Sequence, residues 1–256
     1  MSGQWLVSRR PNPSARLRLI CFPYAGGGSG AFAPWADLLP SDIEVHAVRL
    51  PGRESRLTQR PYEDVAELMG VLGPALLPVC EQPFALFGHS MGALVGYEFT
   101  RWLRSLGGPA PAHLFVSARQ APHLRRRPPY LHDMPDGPFV AGLRRLGGTP
   151  EELLADRRVM GMLMPGLRAD FRLNDGYRHR PGPPLACPVT TFGGRQDHVV
   201  DEPELRAWRE HTTGPFTSQT FEGGHFFLHS ARDELLGAIG AALTGPVRSA
   251  QEMVAR

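Results

Sequence analysis

The 256-residue chain predicts an α/β fold: a mostly parallel sheet with helices on both faces. Three observations carry that expectation. Short apolar runs alternate with amphipathic stretches along the chain. One run stops at Gly88-His89-Ser90-Met91-Gly92 with a helical pattern directly behind it. Two later runs end in glycine-rich turns that hold Asp197 and His225. In such a sheet functional groups gather at the carboxyl ends of strands. Ser90, Asp197, His225 and the glycine-rich loop after the first run are therefore expected along one edge.

Residues 1–16, with two prolines and scattered arginines, read as a loosely held arm. Leu17 to Phe22 is the first strand and feeds Pro23-Tyr24-Ala25-Gly26-Gly27-Gly28-Ser29-Gly30, a loop in which glycine can bring bare N–H groups close to a ligand. Ala31 to Leu39 reads as a short helix, Ile43 to Val48 as a second strand and Leu50-Pro51-Gly52-Arg53 as a turn. Between Tyr62 and Val79, Val65, Leu68, Met69, Leu72 and Leu76 recur at three- and four-residue spacing. That spacing predicts an amphipathic helix, kinked or ended at Pro74. Phe84 to Phe87 is the strand before the Ser90 turn and Met91 to Leu106 the helix after it.

His113 to Ser117 is a further strand, but the next, Val189 to Phe192, begins only about seventy residues later. A crossover needs only ~10–12 residues or more, so residues 119–184 read as an insertion in a core made of 17–118 and 185–244. The insertion is helical by pattern: Phe139, Val140, Leu143 and Leu146, then Leu153, Leu154, Met160, Leu163, Met164, Leu167 and Phe171. Thr149-Pro150-Glu151-Glu152 has the form of a helix start. Helix Pro203–His211, strand Phe216–Phe221 and helix Ser230–Leu243 follow, and residues 245–256 read as a flexible tail.

A net charge of +3 gives no support to nucleic-acid binding, and 42% hydrophobic with 21% charged residues is ordinary for a globular protein. The chain has no lysine, so arginine is its only permanently cationic side chain. Cys21, Cys80 and Cys187 have neither metal nor redox spacing, and their apolar neighbours predict buried, reduced thiols. No stretch resembles a signal peptide or a membrane span. These features predict a cytoplasmic monomer without membrane attachment, metal or cofactor.

A serine hydroxyl is a weak nucleophile unless a base lies within hydrogen-bond reach, itself oriented by a carboxylate. His225 in Gly223-Gly224-His225-Phe226-Phe227 suits the base, since an unperturbed imidazole titrates near ~6.5. Asp197 in Gly193-Gly194-Arg195-Gln196-Asp197 suits the acid, with Asp201 and Asp175 as weaker rivals because neither closes directly off a strand. His89, His198 and His229 neighbour the three and read as supporting. An oxyanion needs preformed donors, which the N–H groups of Met91 and Ala25 can supply. Gly28-Ser29-Gly30-Ala31-Phe32-Ala33 also fits a loose dinucleotide fingerprint. That pattern should follow its strand at once and be answered by an acidic residue at the end of the next strand, and here Val48-Arg49 stands in that place.

Taken as a set, Phe22-Pro23-Tyr24-Ala25-Gly26-Gly27, Leu50-Pro51-Gly52-Arg53, Gly88-His89-Ser90-Met91-Gly92, Arg168-Ala169-Asp170-Phe171 and Gly224-His225-Phe226-Phe227-Leu228 resemble the stand-alone type II thioesterases of polyketide and nonribosomal peptide assembly lines. The likeness runs over roughly residues 16–244. It implies an α/β-hydrolase with a helical lid that removes acyl groups from the phosphopantetheine arm of acyl or peptidyl carrier proteins. It also implies Ser90, Asp197 and His225 as the triad, and Ala25 and Met91 as oxyanion donors. Tyr24, Gly26, Phe226, Met164 and Phe171 are the expected substrate-binding residues. The run Arg125-Arg126-Arg127 has no place in that pattern; an acidic carrier docking there and a plain solvated charge run are both open. Two other readings remain: a carboxylesterase or lipase acting on free esters, and a binding protein that keeps the fold without the reaction.

Overall fold

The computed structural model describes residues 4–125 and 130–244. Its strands are β1 (Leu6–Val7), β2 (Leu17–Phe22), β3 (Ile43–Val48), β4 (Phe84–His89), β5 (Leu114–Ser117), β6 (Val189–Gly194) and β7 (Phe216–Phe221). They form one sheet in the order β1-β3-β2-β4-β5-β6-β7, in which only β1 runs antiparallel to its neighbour. The helices are α1 (Trp35–Leu38), α2 (Val65–Leu76), α3 (Met91–Ser105), α4 (Asp136–Leu146), α5 (Glu151–Ala155), α6 (Arg157–Gly176), α7 (Glu202–Arg206), α8 (Phe227–Ser230) and α9 (Arg232–Leu243).

The central strands read as unbroken apolar runs because helices cover both faces of the sheet. Side chains alternate across the pleat. Ile20, Phe22, Leu86 and Val116 pack with Leu68 and Leu72 of α2 and Val95 and Phe99 of α3. Leu19, Cys21, Ala85, Phe87 and Phe115 face the other way, onto Trp35 of α1 and Leu235 and Ile239 of α9. All three cysteines are buried free thiols, and burial pushes those of Cys80 and Cys187 up to about 12.

The expected arm needs correction in its first part. Trp5 is buried in the main cluster, its carbonyl accepts the Arg49 N–H at 2.8 Å, and Leu6 and Val7 pair with Val48 and Ala47. The Arg56 guanidinium lies 3.9 Å from the Trp5 ring centroid. A two-residue strand is too short to show a period, so burial of one indole, invisible in the pattern, sets this segment. Pro74 does not end α2, which runs on to Leu76 before a tight 3₁₀ turn over Leu77–Glu81. Gly70, whose carbonyl loses its donor to the proline, is exposed and can be served by water. The expected helix Pro203–His211 is divided into α7 and a 3₁₀ turn at Ala207–His211, and the expected helix Ser230–Leu243 is α9, preceded by the separate short α8.

Between β5 and β6 the insertion contributes α4, α5 and α6. Phe139, Leu143, Leu154, Met160, Leu167 and Phe171 form a small apolar cluster of its own. Asp156 caps α6 through the N–H groups of Arg158 and Val159, and Leu173, near the far end of α6, is buried in the main cluster. The insertion is thus tied into the body at its C-terminal end. Trp5→Ala is expected to lower stability by about 3 kcal/mol in urea unfolding; a change below about 0.5 kcal/mol would be the signature of a loose arm.

Candidate active site

Ser90 alone makes the turn from β4 to α3, at φ 53° and ψ −113°, a conformation that costs an L-residue about 1–3 kcal/mol. Glycine makes the turn feasible. A Cβ on Gly88 would overlap the Gly92 carbonyl group, and one on Gly92 would overlap the carbonyl of Phe22 in β2. The start of α3 therefore lies directly against the backbone of two strands. The Ser90 N–H donates to the Ser117 carbonyl at 2.7 Å, which fixes the turn to β5 as well.

His225 follows β7 and Asp197 follows β6; His225 reaches Ser90, and Asp197 reaches His225. His225 Nε2 lies 3.1 Å from Ser90 Oγ, and His225 Nδ1 lies 2.8 Å from Asp197 Oδ2. With the carboxylate on Nδ1, the tautomer protonated there leaves Nε2 free to accept from the serine. Asp197 Oδ1 accepts from the N–H groups of Val199 at 2.7 Å and Val200 at 3.3 Å, and its side chain is wholly buried. The rival acids are occupied elsewhere. Asp201 caps α7 in a reciprocal pair with Glu204, and Asp175 faces His132 and Asn174.

Phe22 pairs with Gly88, so the loop after β2 emerges beside the Ser90 turn, the elbow between β4 and α3. Tyr24 O accepts the Gly27 N–H at 2.9 Å and Gly26 sits at φ 78°, as in a type II turn. Among the described residues, the N–H groups of Ala25 and Met91 make no hydrogen bond. The Tyr24 ring meets Phe226 edge-on at 4.9 Å, and its hydroxyl is 3.2 Å from His229 Nε2. Phe226 lies against His225 and directly under Gly148 of the insertion. His89 turns away from Ser90, its Nδ1 2.9 Å from Ser117 Oγ. Burial first, then the neighbouring His225 and His229, hold its pKa well below the usual imidazole range.

Two cavities border this region. One of about 1510 Å³ lies at the ends of β5 and β6 against the insertion; Gln120, Leu131, Met134, Phe171, His198 and Val199 are among its walls, with Arg125 and Arg145. A smaller one, about 230 Å³, lies between the loop Tyr24–Gly30 and helices α5 and α6, and Gly26 and Tyr24 line it. Met164 lines neither and packs, half-buried, on the insertion's own cluster. Arg126 and Arg127 lie outside the described residues.

Two polar groupings leave no trace in the residue pattern. Arg53 and Asp170 form a buried ion pair against the Tyr24–Gly27 turn, a role that no spacing in the sequence discloses. His211 joins Tyr97 (3.2 Å) to His123 (2.7 Å), and His179 lies 3.3 Å from the same tyrosine hydroxyl. Among the described residues no group of His, Cys, Asp and Glu is arranged to hold a metal, and no helix is long and apolar enough to cross a membrane.

The sheet, the strained serine turn and the three residues gathered at its edge define an α/β-hydrolase. A thioesterase-domain family model matches residues 17–243. The gramicidin S biosynthesis protein GrsT of Aneurinibacillus migulanus is 41% identical over 234 residues, 91% of each chain. Thioesterase PikA5 of Streptomyces venezuelae is 37% identical over 240 residues, covering 93% of this chain and 85% of its own. Among solved structures, the type II thioesterase BorB from the borrelidin biosynthetic cluster superposes with a TM-score of 0.86 at 44% identity, covering 93% of this chain and 97% of that one. The chain belongs to the thioesterase family and is a thioester hydrolase similar to the type II enzymes.

The histidine grouping has a consequence for stability. Burial, reinforced by His123 and His179, brings His211 down to about 4, and burial alone does the same for His113. Both folded values lie below the ordinary 6.5. Above pH ~6.5 neither state binds the proton; as pH falls from there towards 4 the unfolded chain binds it first, so stability declines across that window. His211→Gln is expected to flatten the slope of unfolding free energy against pH between ~6.5 and ~4, measured by urea titration. An unchanged slope would mean that His211 is not held neutral.

Proposed function

We propose that the chain hydrolyses acyl groups from the phosphopantetheine arm of acyl or peptidyl carrier proteins, clearing misprimed or stalled units through a Ser90–His225–Asp197 triad. The observation that carries this reading is the unbroken relay from Asp197 Oδ2 through His225 to Ser90 Oγ at 2.8 and 3.1 Å.

His225 takes the Ser90 proton as Oγ attacks the thioester carbonyl, and buried Asp197 stabilises the imidazolium that forms. The oxyanion accepts from the Ala25 and Met91 N–H groups, whose lack of another partner supports the assignment. Collapse expels a thiolate. A thiol titrates near ~8.5, so protonation of the leaving group by His225 is less demanding than in amide cleavage. The acyl group remains on Ser90 until His225 activates a water to release the acid.

Binding of the acyl chain falls to the cavity walled by Phe171, Leu131 and Met134, whose apolar surface suits chains of varied shape. Tyr24, Gly26 and Phe226 flank the reacting carbonyl.

Acyl-pantetheine thioesters are expected to be hydrolysed faster than matched oxygen esters in steady-state assays. A preference for the oxygen ester would favour the carboxylesterase reading. Ser90→Ala should lower kcat by at least about 10⁴-fold and abolish fluorophosphonate labelling. Asp197→Asn should lower kcat by about 10⁴-fold while leaving measurable turnover, because the tautomer is lost and the oxyanion donors remain. Wild-type rates in Asp197→Asn would transfer the acid role to another residue. Mass spectrometry of carriers loaded with different acyl units, before and after exposure to the enzyme, reads the editing preference directly.

A further inference from the structure

The buried pair Arg53–Asp170 joins three parts of the molecule that are remote in sequence. Asp170 belongs to α6 of the insertion, and Arg53 follows β3. Between them they hold two consecutive residues of the loop after β2. Asp170 Oδ2 accepts the Gly26 N–H at 2.7 Å, and its Oδ1 accepts from Arg53 Nη2 at 2.6 Å. Arg53 Nη1 closes the ring by donating to the Gly27 carbonyl at 2.7 Å. Both side chains are almost fully buried, 9% and 3% exposed.

A buried ion pair is a poor source of net stability, because desolvation consumes most of its Coulomb gain; what it enforces is geometry. The geometry enforced here is the orientation of a peptide plane. Gly26 N–H is consumed by Asp170 and Gly27 N–H by the Tyr24 carbonyl, leaving Ala25 N–H as the uncommitted donor of the turn. Arg53 also neutralises a carboxylate that binds the next residue's N–H, and that carboxylate unpaired would oppose negative charge developing at Ala25.

We propose that Arg53 and Asp170 are positioning residues for the oxyanion site: they lock the Tyr24–Gly27 turn so that the Ala25 N–H is preformed for the transition state, and they make that preformation depend on α6 being seated. The inference rests on the Ser90 hydrolase reading above. It places the effect in kcat, because the donor is used when the carbonyl oxygen becomes an oxyanion and hardly before.

The test compares wild type with Asp170→Asn, Arg53→Met and Arg53→Lys, each verified as folded at assay temperature by thermal melting. Expected are losses of about 10²-fold in kcat for the first two, as for displacement of an oxyanion donor, with KM within about threefold. Arg53→Lys, which keeps the charge but not the fork, should recover part of the loss. The rate of Ser90 labelling by a fluorophosphonate, whose phosphonyl oxygen uses the same donors, should fall in the same order. Folded variants with wild-type kcat and labelling rates, or a loss confined to KM, would overturn the proposal.

A second measurement needs no variant. On phosphonylation of wild-type protein the Ala25 amide proton should move downfield in NMR spectra while that of Gly26 stays in place; movement of Gly26 with Ala25 unmoved overturns the assignment. A wild type that labels at Ser90 but leaves thioesters intact rejects the substrate reading and leaves the positioning comparison readable by labelling. A wild type inert to both rejects both.

Discussion

Backbone meets backbone at the β4–α3 turn, with the Gly92 Cα against the Phe22 carbonyl and the Gly88 Cα against the Gly92 carbonyl. That contact is the constraint from which the rest of the site follows. It forces Ser90 into a conformation that an L-residue resists, and it points the first turn of α3 at the loop leaving β2. The strain is held because the Ser90 N–H is tied to β5 and because β4 is buried along its whole length between neighbours. Removing either support would let the serine relax out of line with His225.

Around that fixed point the site is assembled from separate anchors. Asp197 is oriented by two N–H groups from its own loop, and His225 by Asp197. The Tyr24–Gly27 turn is held by a side chain from α6, so the insertion is hydrogen-bonded to the loop beside Ser90. Phe226 beneath Gly148 provides a second contact of the same kind, this time beside the imidazole. The insertion therefore meets the sheet edge at the Tyr24–Gly27 turn and at Phe226, while Leu173 ties α6 into the main body. These couplings explain how a helical segment with a separate apolar cluster can stay in register with the chemistry at the sheet edge.

Much of this was legible in the residue pattern. β2 and β3 fall at Leu17–Phe22 and Ile43–Val48 as the apolar runs predict, because buried strands bounded by turn residues leave a clear trace; β7 falls at Phe216–Phe221, although it is only partly buried. The elbow was legible because its chemistry demands glycine at both flanks. The polar anchors were not. Asp170 sits in a helix and Arg53 in a turn, and neither position has a period or a spacing that announces a partner 117 residues away. Trp5 is illegible for a similar reason, since one buried aromatic beside a two-residue strand has no pattern. Met164, an expected substrate contact, packs half-buried on the insertion's own cluster.

By itself the sequence determined the alternation of strands and helices, the location of the insertion, the strained serine and the order of its two partners. These are local properties, set by side-chain period and by the few residues that tight turns permit. Tertiary structure decided which carboxylate reaches His225, which N–H groups stay uncommitted, and which helix steadies the loop that carries one of them. Those depend on distances of about 3 Å between segments far apart in the chain, and the packing of a whole sheet is what fixes such distances.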